Sequence, residues 1–296
     1  MNTAVAERRG TAALVLEGMR PEQFSKNAFV LAGLLFSGEV VDPSSTLRAL
    51  TVTVAFCAAS GASYLVNDAV DAPRDRLNPR TASRPVARGA LAPGTARGAA
   101  VLLAVVALGL GAVINLESLA TVAGFLALQV AYSSVLKHVL FVDVLAIAAG
   151  FVLRALAGLV AIDVEISSYL LLCTGLLALF LGLTKRRAEA VAIGGEDHPQ
   201  RPVLEHYSVA LIDELIAVIT PTTVVAYALY AITRARTDAM LLTLPFVIYG
   251  IFRVLFLIHR TTVTDEPAVI VWRDRPLLAC VALWIVAAGV ISVASA

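Results

Sequence analysis

Residues 49–67 read ALTVTVAFCAASGASYLVN, nineteen positions without an Asp, Glu, Lys or Arg. A helix of that length reaches about 30 Å, the depth of the hydrocarbon layer of a bilayer. Five more charge-free stretches follow, at 98–116, 118–136, 166–184, 215–233 and 276–296. Of the 296 residues 59% are hydrophobic and 15% charged, against roughly 45–50% and 25% in ordinary globular chains. No water-soluble core absorbs that excess, so the sequence specifies an all-α, polytopic membrane protein.

Three further spans carry isolated charges: 24–38, 139–162 with Asp143 and Arg154, and 239–258 with Arg253, which brings the expected total to nine. The run 98–136 is too long for one crossing, and Asn115 to Ser118 should turn it into a hairpin. Of the 23 lysines and arginines, eighteen fall on one side of this topology, Arg48, Arg234 and Arg236 on the other, and Arg154 and Arg253 inside spans. Basic loops stay cytoplasmic, which predicts a cytoplasmic N-terminus and an outer C-terminus in a multi-pass cell-membrane protein. Residues 1–23 then form a cytoplasmic segment, and 24–296 a single transmembrane domain with cytoplasmic caps at 68–93 and 185–214. Other classes drop out. A net charge of +1 gives no footprint for nucleic acid, and Cys57, Cys173 and Cys280 all lie in apolar spans rather than in a disulfide framework. The first 25 residues lack the long apolar core of a secretory signal.

Chemistry is expected on the basic side, where the long connections lie. The span 49–67 runs directly into Asn67-Asp68-Ala69-Val70-Asp71-Ala72-Pro73-Arg74-Asp75. At helical pitch Asn67, Asp68, Asp71 and Asp75 share an arc of about 100°. Three carboxylates on one face repel unless a cation sits among them, and hard oxygen ligands suit Mg²⁺, which commonly adds phosphate oxygens. The plainer reading is an acidic helix end simply solvated beside Arg74 and Arg76. Just beyond, Arg80-Thr81-Ala82-Ser83-Arg84-Pro85 supplies guanidinium groups suited to phosphate.

The order Asn-Asp-x-x-Asp-x-x-x-Asp followed by Arg-Thr-x-x-Arg-Pro resembles the first aspartate-rich motif of the UbiA superfamily of intramembrane prenyltransferases. The resemblance implies nine helices around a central cavity, with Asp68, Asp71 and Asp75 as catalytic metal ligands for Mg²⁺ and a substrate diphosphate, and Asn67 orienting them. Ala72-Pro73 departs from the usual motif, and Pro73 should distort the helix.

Where that superfamily carries a second acidic motif, this chain has Lys185-Arg186-Arg187-Ala188-Glu189. Lys185, Arg186 and Glu189 share a helical face and Arg187 points away. Such a cationic pole would bind phosphate directly, although Lys185 and Glu189 also have the spacing of a supporting i,i+4 pair. The substitution resembles the decaprenyl-phosphate phosphoribosyltransferase branch, which makes a ribosyl lipid precursor of cell-wall arabinan. Further similar pieces are Arg20 to Asn27, Tyr132-Ser133 with Lys137, Asp143-Val144, Arg154 to Gly158, Tyr249 to Arg253, Asp265-Glu266-Pro267 and Asp274-Arg275-Pro276. The resemblance implies 5-phosphoribosyl 1-diphosphate as donor and a polyprenyl phosphate in the bilayer as acceptor. Lys185 and Arg186 would hold the 5-phosphate; Lys26, Arg80, Arg84 and Lys137 the other phosphates; Tyr132, Glu189, Tyr249 and Arg253 complete the substrate site. A homo-oligomer is compatible with it. An anionic acceptor needs no general base, in keeping with four histidines that show no ligand spacing.

Two rival readings are an aromatic prenyltransferase, which calls for the second acidic motif, and an anionic-metabolite transporter, whose intramembrane charges would line a path. A charge inside a span costs at least about 2.5 kcal/mol, so Arg154 and Arg253 should face the bundle interior. Asp143 or a backbone carbonyl is the expected partner of Arg154.

Overall fold

A bilayer offers no hydrogen-bond partner to a backbone amide, so each apolar run must close its own ladder as a helix. The computed structural model describes residues 10–79, 81–193, 207–233, 237–260 and 273–295. Among them are eight helices long and apolar enough to cross a membrane, and no strand. A short α1 (Thr11–Gly18) precedes a 3-10 helix (Pro21–Leu31) that continues into α2 (Ala32–Ser37). Then come α3 (Pro43–Asp75), α4 (Pro93–Ile114), α5 (Leu116–Ser134), α6 (Val142–Ala161) and α7 (Ser168–Ile193). The last three are α8 (Val209–Thr233), α9 (Leu244–Arg260) and α10 (Arg275–Ala294).

The helix ends follow local chemistry. Pro43 opens α3 behind Asp42, whose carboxylate accepts the Ser45 N–H at 2.7 Å. The expected hairpin forms at Asn115, which is extended, caps α5 by accepting the Ser118 N–H at 2.7 Å and donates to Val160 O at 2.7 Å. The stretch 24–38 differs from expectation. It lies within a 3-10 helix of 11 residues (Pro21–Leu31) followed by six of α-helix (Ala32–Ser37), and together these cover about 30 Å. It leads from Arg20, which touches Asp68, to Asp42 at the start of α3, so among the described residues it traverses the bundle beside the eight helices long enough to cross a membrane. Close contact with α6 accompanies the altered pitch: a Cβ on Gly158 would lie 1.8 Å from Val30 O, and one on Gly33 would lie 3.0 Å from Leu159 N.

Small residues let α6 sit at the centre, with Ala146, Ala148, Gly150, Ala155, Ala157, Gly158 and Ala161 all buried. One apolar cluster joins Val30, Phe56, Val122, Phe125 and Ala157; a second joins Val144, Phe180, Ile212, Val254 and Leu277. Val101, Val105, Leu283, Val286 and Val290 are exposed on α4 and α10, as expected of helices facing lipid. Arg154 does not pair with Asp143. Eleven residues of helix separate them by about 16 Å along the axis, although they share a face. Its guanidinium donates instead to Asn27 Oδ1 at 2.8 Å, Gly150 O at 2.9 Å and Ser60 Oγ at 3.2 Å, and lies 4.5 Å from the centre of the Phe125 ring. The carbonyl partner was anticipated and the asparagine was not. A cavity of about 290 Å³ among Phe36, Ser37, Glu165, Tyr230 and Ser292 opens at the other end of the bundle from the acidic motif.

Candidate active site

The acidic motif occupies the last turns of α3, which continues unbroken through Pro73 to Asp75. Because the helix persists, the motif keeps its single face. Arg84 shows this directly: its Nη1 donates to Asp75 Oδ2 at 2.7 Å and stands 3.6 Å from Asp68 Oδ1. The segment after α3 folds back through turns, with Thr81 Oγ1 donating to Asp75 O at 3.1 Å and Arg76 Nε to Ala87 O at 2.9 Å. That return carries Arg84 over the carboxylates. Arg88 then grips Glu17 of α1 at 2.8 and 3.0 Å.

Asp68 is 1% exposed and is also met by Arg20, whose backbone lies in the left-handed region (φ 55°, ψ 67°) and whose guanidinium sits 4.8 Å from the centre of the Tyr64 ring. Its Oδ2 is buried and has no hydrogen-bond partner among the described residues. Asp71 faces Lys137 at 3.7 Å. Asn67 and Lys26 are half-buried, and Arg80 lies outside the described residues. Among the described residues no three acidic, histidine or cysteine side chains converge as a ready metal centre. Among the described residues, Arg20, Arg84 and Lys137 are the cations that meet the three aspartates. The donor set still suits Mg²⁺: all-oxygen ligands on one face, with one buried carboxylate oxygen left unsatisfied.

The second pole differs more from expectation. Arg186 is not an open fork but is 1% exposed. Its Nε donates to Asp143 Oδ2 at 2.8 Å, its Nη1 meets Glu189, and its Nη2 lies 3.4 Å from the Tyr132 hydroxyl. A guanidinium taken from water needs such partners, and two carboxylates supply them. Lys185 is half-buried beside it. Arg187 points away, as expected, and ties three helices together by donating to Asp213 at 2.6 Å and to Ile258 O at 3.1 Å. The contacts of Arg253 lead to α10: it pairs with Asp274 at 3.1 and 2.8 Å, while Tyr249 is 45% exposed. Asp274 caps α10, and the hydrogen bond from Arg253 holds its carboxyl below the usual range. Asp265, Glu266 and Pro267 lie outside the described residues.

The two poles are joined by the end of α5. Tyr132 reaches Arg186, and Lys137, in the 3-10 turn that follows, reaches Asp71. Tyr132 and Lys137 are five residues apart in the chain, on either side of the non-helical Val135 that ends α5. Three residues of this locus were not assigned roles from sequence. Arg20 stood in a quoted stretch but had no evident target. Asp143 was noticed, while its partners sit 43 and 64 residues away. Tyr207 gave no signal.

Comparison with known proteins gives the family of this chain. The UbiA prenyltransferase family matches residues 27–273. The decaprenyl-phosphate phosphoribosyltransferase of Corynebacterium glutamicum is 34% identical over 231 residues, 76% of this chain and 70% of that protein. The protein of the same name from Mycobacterium tuberculosis is 30% identical over 281 residues, 93% of each chain. A solved UbiA homolog from Archaeoglobus fulgidus, bound to GPP and Mg²⁺, superposes with a TM-score of 0.73 at 20% identity, covering 94% of this chain and 99% of that one. This multi-pass membrane protein, with its aspartate-bearing α3, belongs to the UbiA prenyltransferase family.

Proposed function

We propose that the chain transfers a 5-phosphoribosyl group from 5-phosphoribosyl 1-diphosphate to a polyprenyl phosphate of decaprenyl type. A phosphate oxygen of the acceptor forms a bond to C1 of the ribose as the bond from C1 to the diphosphate oxygen breaks. The diphosphate leaves with the electron pair. The acceptor is already anionic, so no base need remove a proton, and direct displacement inverts C1. The observation that supports this reading is the junction at Tyr132 and Lys137, where neighbouring residues of one chain segment meet Arg186 of the basic pole and Asp71 of the acidic pole.

Asp68, Asp71 and Asp75, with Asn67 beside them, would hold Mg²⁺, which when bound offsets the charge of the departing diphosphate. Arg84, Lys137, Lys26 and Arg80 take phosphate oxygens on that side. Lys185 and Tyr132 face the 5-phosphate, and Arg186, committed to Asp143 and Glu189, keeps that corner in shape. Tyr249 and Arg253 complete the wall toward α10, and the apolar helix faces accept the isoprenoid. The excess of lysine and arginine at this end of the bundle supports a cytoplasmic site with the N-terminus inside and the C-terminus outside.

Membranes containing the protein, supplied with polyprenyl phosphate, Mg²⁺ and ribose-labelled donor, should yield a labelled, solvent-extractable lipid that mild acid returns as a ribose phosphate. A complete lack of labelled lipid with active, folded protein would reject the reaction.

A further inference from the structure

We propose that Tyr207 is a positioning residue for the phosphoribosyl donor: acting through Asp143, it fixes the guanidinium of Arg186 in the orientation that the donor's phosphate pole presents. The inference rests on the reading of that pole given above.

Tyr207 lies just before α8, 3% exposed, with its ring edge-on to Phe141 at 5.8 Å. Its hydroxyl accepts the Phe141 N–H at 3.0 Å and lies 2.9 Å from Asp143 Oδ1. Since an amide can only donate, the phenolic proton is left for the carboxylate. Burial and the hydrogen bond to Asp143 push the phenol above its usual range, so the proton stays in place. Asp143 is 0% exposed, and its other oxygen takes Arg186 Nε at 2.8 Å. The sequence of contacts is therefore Phe141 amide, Tyr207 hydroxyl, Asp143 carboxylate, Arg186 guanidinium, then Glu189 and Tyr132.

Arginine has many rotamers, and here two carboxylates compete for one guanidinium. Asp143 can hold Nε in one direction only while its own second oxygen is engaged. Without the Tyr207 hydroxyl, Oδ1 would be a buried, unsatisfied acceptor, and the carboxylate would turn toward Arg186 to use both oxygens on it. That rotation would draw the guanidinium away from Tyr132. Burial of the Tyr207 ring explains its packing role, whereas the hydroxyl serves this polar chain.

The test uses the full chain in lipid nanodiscs. Tyr207→Phe keeps the ring and removes only the hydroxyl. The Michaelis constant for 5-phosphoribosyl 1-diphosphate should rise about five- to tenfold, with kcat and the acceptor constant changed less than about twofold. Asp143→Asn should act in the same direction, and the double variant should add little to it. The idea is overturned if the donor constant of Tyr207→Phe stays within twofold of the parent. It is equally overturned if kcat and both constants worsen together in step with a lower thermal midpoint. Where one variant does not fold, the other carries the same comparison. A parent that makes no labelled lipid rejects the reaction itself; calorimetric binding of 5-phosphoribosyl 1-diphosphate to parent and Tyr207→Phe then still reads this inference separately.

Discussion

Lys137 Nζ stands 3.7 Å from Asp71 Oδ2, linking the end of α5 to the acidic face of α3. In the proposed reaction both act on the leaving diphosphate. Asp71→Asn should lower kcat/KM by at least about a hundredfold, as losing a charge-organising group at a reacting centre does. Lys137→Met should cost about tenfold. Because the two work on one group, the double variant should be little worse than Asp71→Asn alone. Steady-state kinetics on the four proteins reads the coupling, and strict additivity would disconnect the pair.

The contact of Gly158 with Val30 sets a steric prediction. An alanine Cβ would meet Val30 O at 1.8 Å, and backbone on both sides leaves no flexible end to yield. Gly158→Ala should destabilise the protein by more than about 3 kcal/mol, at the high end for overpacking. Gly109→Ala, where nothing lies within 4 Å, should be neutral or slightly stabilising, because alanine favours helix. Thermal unfolding in detergent compares the two, and equal midpoints would contradict the account.

Asn27 and Arg154 predict an inequality. Asn27→Leu strands a buried guanidinium that had its Nε on Asn27 Oδ1 at 2.8 Å, and should cost about 3 kcal/mol. Arg154→Met removes the charge itself and fills similar volume, so it should cost about 1 kcal/mol or less. Finding Arg154→Met to be the more damaging variant would mean that the arginine does more than hold the centre of the bundle together.

A pH dependence follows from Asp274, whose carboxyl Arg253 holds below its ordinary value of 3.8. A group with a depressed folded-state pKa contributes stability above its unfolded pKa and loses it as pH falls through the folded one. The thermal midpoint should therefore drop as pH is lowered from about 5 through the ordinary value and beyond it. Asp274→Asn should flatten that part of the profile, and an unchanged slope would assign it to other carboxylates.

Much of this architecture was legible because a bilayer makes simple demands. Runs of about twenty apolar residues had to be helices, Asn115 had to break the longest of them, and helical pitch put Asp68, Asp71 and Asp75 on one face. The path 24–38 was placed but its pitch was not, since the seventeen residues of mixed polarity from Pro21 to Ser37 carry no period that separates 3-10 from α. Arg154 illustrates a different limit. A helical wheel reports direction and not height, so it matched Arg154 to Asp143 and missed Asn27 on another segment. At the second pole, Lys185 and Arg186 read as a cationic face open to a phosphate. Burial of Arg186 depends on Asp143 and Tyr207, which only the fold delivers.

The short piece of chain from Tyr132 to Lys137 has one more implication. Because Tyr132 lies in the last turn of α5 and Lys137 sits in the 3-10 turn right after it, one continuous stretch of six residues serves both poles, and the spacing between them is set at that junction rather than by two distant loops. Under the proposed reaction, a donor is measured against that spacing before it reacts. Sugars whose phosphates lie too close or too far apart would lose one grip on entering, which makes the size of the sugar a property of the junction where α5 ends.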